Sequence, residues 1–343
     1  STWRSRNRRR CTKVMAVAPR SGVTVPPRVR PGQRVGVCLP SGPADPRRLA
    51  QGLAWLGASF APELSRLVER CLAGSSPASP APATANAHPP YLAGTDEERA
   101  AELNAMLRNP DVRAIWLGRG GYGLTRILPQ LDRAALIADP KPIIGFSDAT
   151  ALLAWALSCG VRAIHGPLLL QIGELAAEQQ AWMMRLLTVA DPIGPWPHPL
   201  APAPSGAIAG PLIGGNLKVL ANLAGTAWQP ALERRILMLE DVGEKPYALD
   251  RDLTQLRAAN AGTPQLIVTG DLTRCTDPPH TAGAVDDPEP AQRAIAEAAR
   301  AWGVAVAHSG GFGHGTRNWA WPVEAHAIIS AHGHMQLDDA AVA

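Results

Sequence analysis

The sequence of 343 residues has no run of about 18 apolar residues, so it predicts no transmembrane helix. It has no secretory signal either, because the apolar stretch that follows its arginine-rich start is too short for the hydrophobic region of one. Its five cysteines are scattered without C-x-x-C spacing, which favours reduced thiols over a disulfide framework or a zinc site. These absences predict a cytoplasmic protein with no membrane partner.

Acidic residues are missing from the first part of the chain. Residues 1–34 contain no Asp or Glu, although they hold ten of the 33 Lys and Arg residues. The rest of the chain carries 23 basic and 29 acidic residues, a net charge of −6, against +4 for the whole chain. A body that binds nucleic acid should carry a basic face of its own, so we expect no nucleic-acid partner.

The basic start has three interpretations. We expect residues 1–33 to form a disordered leader. The alternatives are a basic arm for an anionic surface and a reading frame whose true start is Met15.

Short apolar strands alternate with helical patterns along the first half of the chain. The clearest strands, each ending in small residues, are 35–39, 112–117 and 142–145. This alternation predicts an α/β fold with a largely parallel sheet in an N-terminal domain, residues 34–170. Residues 191–206 hold six prolines in sixteen positions, so we expect a linker region over 171–206. A second α/β domain should follow over 207–335.

The early part of the sequence contains two patterns that predict the start of a helix. Asp45 followed by Pro46 predicts a capped helix over about 46–57, and Thr95 with Glu98 has the spacing of a capping box. Residues 58–90 show no apolar alternation, and from 72 onwards they are rich in Ala, Pro and Ser. We therefore expect no strand in that stretch and a flexible loop at its end.

A serine follows the third apolar strand at a sharp turn. Gly145, Phe146 and Ser147 match the G-x-S part of a nucleophile elbow, but Ala149 replaces the second glycine. The pattern alone leaves two possibilities open, a catalytic nucleophile and a serine that caps the following helix.

A serine nucleophile needs a base and a group that orients the base. Glu240, which follows an apolar strand, and His314, in a glycine-rich loop, are the candidates. The order Ser, acid, His also occurs in α/β-hydrolases, so it does not discriminate between families. His165 precedes a Gly-Pro pair, and we interpret it as a turn residue whose ring nitrogens are hydrogen-bonded. No H-E-x-x-H or comparable spacing occurs, so we expect no metal site.

The glycine loop at 118–123, GRGGYG, is similar to a phosphate cradle but lacks the Lys-Ser/Thr of a P-loop. It is therefore weak evidence for a nucleotide, and we expect no cofactor.

Eight short motifs occur in one order along residues 33–333. They are PSGP (40–43), YLAGTDEERAAELNAM (91–106), GRGGYG (118–123), GFSD (145–148), HGP (165–167), GGNL (214–217), LEDVGEKPYALDR (239–251) and GFGH (311–314). In this set and order the chain resembles the L,D-carboxypeptidases of the peptidase S66 group, the muramoyltetrapeptide carboxypeptidases. This sequence departs from the family in two places. The family usually has a strand after the first helix, where this sequence shows no strand pattern. The basic leader of this sequence has no counterpart in the family.

The resemblance implies a fold and a catalytic triad. The fold would be an N-terminal Rossmann-like parallel sheet with helices, followed by a swivelling C-terminal α/β domain with a mixed sheet. Ser147 matches the nucleophile of the first domain, and Glu240 and His314 match the acid and the base of the second. The active site would then lie in a cleft between the domains. The N–H groups of Asp148 and Gly121 are the expected oxyanion donors.

The resemblance also implies a substrate. It would be a murein tetrapeptide that loses its terminal D-Ala without a metal, and the enzyme would be a homodimer. Arg119 and Asn216 are candidate substrate contacts; the alternatives are a surface salt bridge for Arg119 and a helix cap for Asn216. Two other functions remain open: an immunity amidase of the same family that cleaves antibiotics related to microcin C, and a non-catalytic peptide-binding module.

Overall fold

The computed structural model of the protein describes residues 22–74, 88–276 and 289–343. Its strands are β1 (Arg34–Cys38), β2 (Ala61–Leu64), β3 (Val112–Leu117), β4 (Ile143–Gly145), β5 (Ile164–His165), β6 (Gly194–Pro195), β7 (Ile208–Asn216), β8 (Ile236–Val242), β9 (Leu266–Thr273), β10 (Val306–His308), β11 (Trp321–Pro322), β12 (His326–Ile329) and β13 (Met335–Leu337). Its α-helices are α1 (Pro46–Gly57), α2 (Arg66–Leu72), α3 (Asp96–Arg108), α4 (Leu124–Ile127), α5 (Arg133–Ala138), α6 (Thr150–Ser158), α7 (Leu169–Ile172), α8 (Ala177–Thr188), α9 (Leu217–Asn222), α10 (Pro246–Ala258) and α11 (Glu289–Trp302).

The N-terminal half forms a six-stranded sheet in the order β11-β5-β4-β3-β1-β2. The strands from β2 to β5 run parallel to one another, and β11, from the end of the chain, lies antiparallel to β5. Central strand residues such as Val35, Val37 and Trp116 are fully buried because helices cover the sheet. The carboxyl ends of β1, β3 and β4 are neighbours, so the loops that follow them meet at one edge.

The C-terminal half forms a seven-stranded sheet in the order β10-β9-β8-β7-β12-β13-β6. Strands β7 to β10 are parallel, whereas β12, β13 and β6 pair antiparallel. The sheet is therefore mixed. The predicted architecture, a largely parallel N-terminal sheet and a mixed C-terminal sheet with helices, is confirmed.

The predicted helix starts are confirmed. The side chain of Asp45 accepts a hydrogen bond from the N–H of Arg48 at the start of α1, 2.9 Å away. At the start of α3 the Thr95 hydroxyl accepts from the N–H of Glu98, and the Glu98 carboxylate accepts from the N–H of Thr95. Both backbone groups are satisfied by side chains that the sequence pattern identifies.

The expectation of no strand over residues 58–90 is wrong. Strand β2 (Ala61–Leu64) pairs parallel with β1 at the edge of the N-terminal sheet. Its residues are exposed or only half-buried, because an edge strand faces solvent along one side. Such a strand needs no apolar alternation, and for that reason the sequence pattern missed it. The expected loop at 72–90 lies largely outside the described residues, which omit 75–87.

The expectation of disorder is also wrong for residues 22–33, whereas 1–21 lie outside the described residues. The buried Val29 donates its N–H to the carbonyl of Leu187, and Arg28 donates to the carbonyl of Ala343. Charge counting cannot detect such an attachment, because both hydrogen bonds join backbone groups and the buried side chain of Val29 is apolar. The range 171–206, expected to be a linker, contains the twelve-residue helix α8 before its proline-rich half.

Candidate active site

Ser147 lies in a tight turn between β4 and α6. Its φ of +62° is in the left-handed region, which non-glycine residues rarely occupy. The chain folds back so closely that a Cβ atom on Gly145 would stand 2.7 Å from the Cβ of Ala149. Ser147 begins a 3-10 turn that precedes α6, and the N-cap position of α6 belongs to Ala149. Ser147 therefore has the strained geometry of an elbow and does not cap α6.

One residue of the C-terminal half contacts this serine, and a second residue binds the first. The ring of His314 has Nε2 3.2 Å from Ser147 Oγ, and its Nδ1 lies 2.7 Å from Glu240 Oε2. Glu240 is fully buried near the end of β8, while Ser147 and His314 are partly accessible. The structure thus brings together three side chains that the sequence separates by up to 167 positions.

The hydrogen bonds define the tautomer of His314. A carboxylate accepts and does not donate, so the proton on the ring must lie on Nδ1 towards Glu240. Nε2 is then free to accept the hydroxyl proton of Ser147. Burial lowers the pKa of His314, but the charge of Glu240 and its hydrogen bond outweigh that effect, and the pKa of His314 is raised overall. The ring also packs against Phe146, with centroids 4.7 Å apart.

The loop that carries His314 is held by polar side chains around it. The N–H of Gly315 donates to Asp271 Oδ2, and the N–H of Gly313 donates to Asn318 Oδ1, both at 3.2 Å. Gly313 has a φ of +119°, and a Cβ atom there would lie 2.8 Å from Glu240 Cβ. A glycine is therefore required for the loop to approach the acid this closely. Asp271 and Asn318 were missed by sequence reasoning, although Asp271 lies near the carboxyl end of a strand.

Asn216 connects the two halves beside the site. Its N–H donates to Thr150 Oγ1 at 3.0 Å, which joins the end of β7 to the first turn of α6. Its side-chain oxygen accepts from the N–H of Val219 and caps α9, and its Nδ2 donates to Asp241. The cap that was one interpretation of Asn216 is therefore present, and both ends of the amide are engaged. Burial, followed by the charge of Glu240, raises the pKa of Asp241 to about 7.

The glycine loop at 118–123 borders the serine from the N-terminal half. Gly120 is the nearest glycine, since a Cβ atom on it would lie 3.2 Å from Ser147 Oγ. Gly121, the predicted oxyanion donor, is the next residue and has a φ of +110°. Arg119 is exposed and donates from its guanidinium to the carbonyl of Pro43. Within the part of the chain that the structure describes, Arg119 forms this contact between loops and no salt bridge.

Asp148, the other predicted oxyanion donor, has a buried carboxylate. Its Oδ2 accepts from the hydroxyl of Ser41 at 2.7 Å and from the N–H of Leu124 at 3.0 Å. Burial raises the pKa of Asp148, against these hydrogen bonds and the charge of Arg99. The side chain is directed into the protein, so a contact with substrate is left to the backbone N–H of this residue.

The two halves of the chain match the two domains of one enzyme family. Residues 35–166 match the LD-carboxypeptidase N-terminal domain of peptidase S66, and residues 209–329 match its LD-carboxypeptidase C-terminal domain. The chain belongs to the peptidase S66 family of LD-carboxypeptidases.

Individual relatives agree with this assignment. Over 253 residues this LD-carboxypeptidase family member is 38% identical to the murein tetrapeptide carboxypeptidase of Pseudomonas aeruginosa, covering 71% of this chain and 80% of that protein. The structure of the muramoyltetrapeptide carboxypeptidase of Oxalobacter formigenes aligns with a TM-score of 0.72 at 25% identity, covering 89% of this chain and 98% of that one. The microcin C7 self immunity protein MccF aligns with a TM-score of 0.75 at 23% identity, covering 93% and 99%, a likeness of fold alone.

His165 of this LD-carboxypeptidase family member differs from its expected environment. It lies in β5 with no exposed surface, and neither ring nitrogen has a hydrogen-bond partner among the described residues. Its ring stacks on Trp321 at 4.8 Å, and burial lowers the pKa of His165 to about 4. The interpretation as a hydrogen-bonded turn residue is wrong, because the Gly-Pro pair follows a buried strand rather than an exposed turn.

The described residues contain neither a cluster of metal ligands nor a helix that could span a bilayer. Within residues 22–74, 88–276 and 289–343, no three His, Cys, Asp or Glu side chains are grouped as metal ligands would be. Over the same ranges every helix is too short or too polar to span a bilayer. Independence from metals stays a prediction, to be tested with a chelator.

Proposed function

We propose that this protein is a serine L,D-carboxypeptidase that hydrolyses the terminal D-Ala from murein tetrapeptides. The observation that carries the proposal is the hydrogen-bonded chain from Glu240 through His314 to Ser147. A buried acid, a histidine with a free Nε2 and a serine in a strained turn are the parts that acyl transfer requires. The family supports carboxypeptidase chemistry, and the name of the Pseudomonas relative supports a murein tetrapeptide as substrate.

The proposed reaction begins at Ser147 Oγ. His314 Nε2 takes the hydroxyl proton as the oxygen attacks the carbonyl carbon before the terminal D-Ala. His314 then gives that proton to the leaving amine, which leaves an acyl-enzyme on Ser147. Water, deprotonated by the same nitrogen, hydrolyses the ester and restores the serine. Glu240 keeps the proton on Nδ1 throughout and stabilises the imidazolium that forms.

The tetrahedral intermediate needs donors for its oxyanion. We propose the backbone N–H groups of Asp148 and Gly121 for this role. Asp148 directly follows the nucleophile, and Gly121 follows Gly120, whose Cα faces the serine. Removal of one such donor typically costs about 10²–10³ in rate.

The substrate is an anionic peptide, whereas residues 35–343 carry a net charge of −6. Attraction for its terminal carboxylate must therefore come from local groups. The exposed Arg119 is the proposed contact, on condition that its guanidinium exchanges the carbonyl of Pro43 for substrate. Asn216 is a weaker candidate, because its amide already binds Val219 and Asp241.

The test is product analysis on defined peptides by mass spectrometry. The purified protein is incubated with DAP-type and Lys-type murein tetrapeptides, with and without EDTA. We expect release of D-Ala, no effect of EDTA, and loss of activity by about 10⁴-fold or more for Ser147→Ala. Ser158→Ala, which changes a serine at the far end of α6, is the matched control and should keep full activity.

Three outcomes would contradict the proposal or its assigned nucleophile. Cleavage of an aminoacyl sulfamoyl adenosine with no release of D-Ala would indicate the immunity-type amidase instead. Tight binding of tetrapeptide without turnover would indicate a peptide-binding module. Activity that persists in Ser147→Ala would overturn the assigned nucleophile. The homodimer is proposed from the resemblance, and light scattering of the purified protein tests it.

A further inference from the structure

The buried carboxylate of Asp148 connects three loops at the carboxyl ends of neighbouring strands. One is its own turn after β4; the second, after β1, contributes the hydroxyl of Ser41; and the third, after β3, ends at Leu124. Both donors reach the same oxygen, Oδ2, at 2.7 and 3.0 Å. With 3% of its surface exposed, Asp148 has little access to solvent, so these bonds are not replaced by water.

A buried arginine supports two of these three loops, those after β1 and β3. Arg99 on α3, which is 1% exposed, donates to the carbonyls of Pro40 and Gly123 and pairs with Asp96. Its positive charge favours the anionic form of Asp148. Arg99 keeps Asp96 as its ion-pair partner, and its bonds to Pro40 and Gly123 hold the loops after β1 and β3 together beside the Asp148 carboxylate.

These contacts determine where the glycine loop lies relative to the nucleophile. The N–H of Gly42, next to Ser41, donates to the carbonyl of Gly120 at 3.0 Å. Leu124 fixes the other end of the loop, two residues beyond Tyr122. Gly120 and Gly121 are therefore held from both sides, through Ser41 and through Leu124, by one carboxylate on the residue after the serine.

We propose that the side chain of Asp148 is a positioning group, which holds the Gly120–Gly121 peptide against Ser147 so that the oxyanion donors are in place before substrate binds. The inference rests on the proposed function, since it assigns a role in that reaction. The carboxylate itself touches no reacting atom. Its contribution is preorganisation, because a displacement of about 1 Å in a donor can cost about 10²-fold in rate.

The test compares Asp148→Asn, Ser41→Ala and the double variant. Asparagine keeps the size of the side chain but loses the charge and half of the acceptors. We expect kcat to fall about 10²-fold in Asp148→Asn and about 10-fold in Ser41→Ala, with KM within about threefold of the wild type in both. The double variant should lose no more than Asp148→Asn alone, because the two residues act through one contact.

Asp132→Asn is the matched control. Asp132 caps α5 and binds Arg108 on the same domain, away from the serine. The Asp132→Asn variant should have a lower thermal midpoint than the wild type and an unchanged kcat. Rates are normalised to active sites by labelling Ser147 with a fluorophosphonate, so that unfolded enzyme does not count.

The outcomes separate this inference from the proposed function. If wild type releases no D-Ala from any tetrapeptide, the proposed function fails, and the rate of fluorophosphonate labelling replaces kcat in the same comparison. If wild type is active but Asp148→Asn keeps its normalised kcat, the positioning role is wrong. It is equally wrong if the variant raises KM with kcat unchanged, or if the losses in the double variant are additive.

Discussion

Gly120 lies directly against Ser147, and a Cβ atom on Gly120 would stand 3.1 Å from Ser147 Cβ and 3.2 Å from Ser147 Oγ. These distances are too short for a side chain that leaves both residues where they are. The φ of Gly120 lies outside the left-handed region, so the reason for glycine here is space and not backbone strain. In the proposed reaction, the substrate carbonyl would occupy the space in front of this hydroxyl.

The first prediction follows from this contact. Gly120→Ala should lower kcat/KM about 10²-fold, because its methyl group displaces Ser147 or the loop by a few tenths of an ångström to an ångström. Gly206→Ala is the control, since a Cβ atom there has no neighbour within 4 Å. Steady-state release of D-Ala measures both. Full activity in Gly120→Ala would mean that the loop moves away from the serine in solution.

The second prediction concerns the strain at Ser147. Its φ of +62° costs a residue with a Cβ about 1–2 kcal/mol, and glycine is free of that cost. Both Ser147→Gly and Ser147→Ala should be inactive, but the glycine variant should have a free energy of unfolding about 1 kcal/mol higher than the alanine variant. Denaturant unfolding measures the difference. Ala154→Gly, within α6, should show the opposite sign, because glycine weakens a helix interior by about 0.5–1 kcal/mol.

The third prediction is a pH profile. His314 must be neutral to accept a proton, so kcat/KM rises as pH increases through the pKa of His314, which lies above its usual 6.5. In Glu240→Gln the attraction that raises this pKa is lost while burial remains. The acid limb should therefore move to lower pH, and the maximum rate should fall by about 10³-fold or more.

Glu63→Gln controls for the loss of one carboxylate. Glu63 pairs with Arg34 at the outer edge of the N-terminal sheet, and its replacement should leave the profile unchanged. An acid limb that stays in place in Glu240→Gln, or moves to higher pH, would contradict the role assigned to Glu240.

Much of this fold could be predicted because its signals are local. Val35, Val37 and Trp116 belong to apolar runs, and such runs indicate buried strands whatever else the chain contains. Asp45 and Thr95 mark helix starts through bonds to residues three positions away. The serine turn was placed by the strand before it and the helix after it.

The remaining features depend on partners distant in sequence. Strand β2 exists because its backbone pairs with β1, and Val29 is ordered because it meets Leu187. Asp271 supports the His314 loop from 44 positions away, and the Asp148 carboxylate meets Ser41 from 107. No periodicity or composition records which residues meet across such distances. The sequence predicts an oxyanion role for the N–H of Asp148, but it does not indicate that the carboxylate of Asp148 binds Ser41 and Leu124.

The last prediction uses His165 as a probe of acid stability. Burial lowers the pKa of His165 to about 4, below the usual 6.5 of the unfolded chain. Between these values the unfolded chain binds a proton that the folded protein does not, so stability is lost as pH falls, by about 1.4 kcal/mol per pH unit. His165→Phe keeps a ring against Trp321 and removes this dependence. Its free energy of unfolding should fall less between pH 7 and pH 4 than that of wild type, by about 3 kcal/mol.

Denaturant titrations across this range measure the difference, and His332→Phe, at an exposed ring solvated in both states, is the control. If the free energy of unfolding depends on pH equally in wild type and His165→Phe, His165 is charged within the folded protein at low pH, and the prediction is wrong.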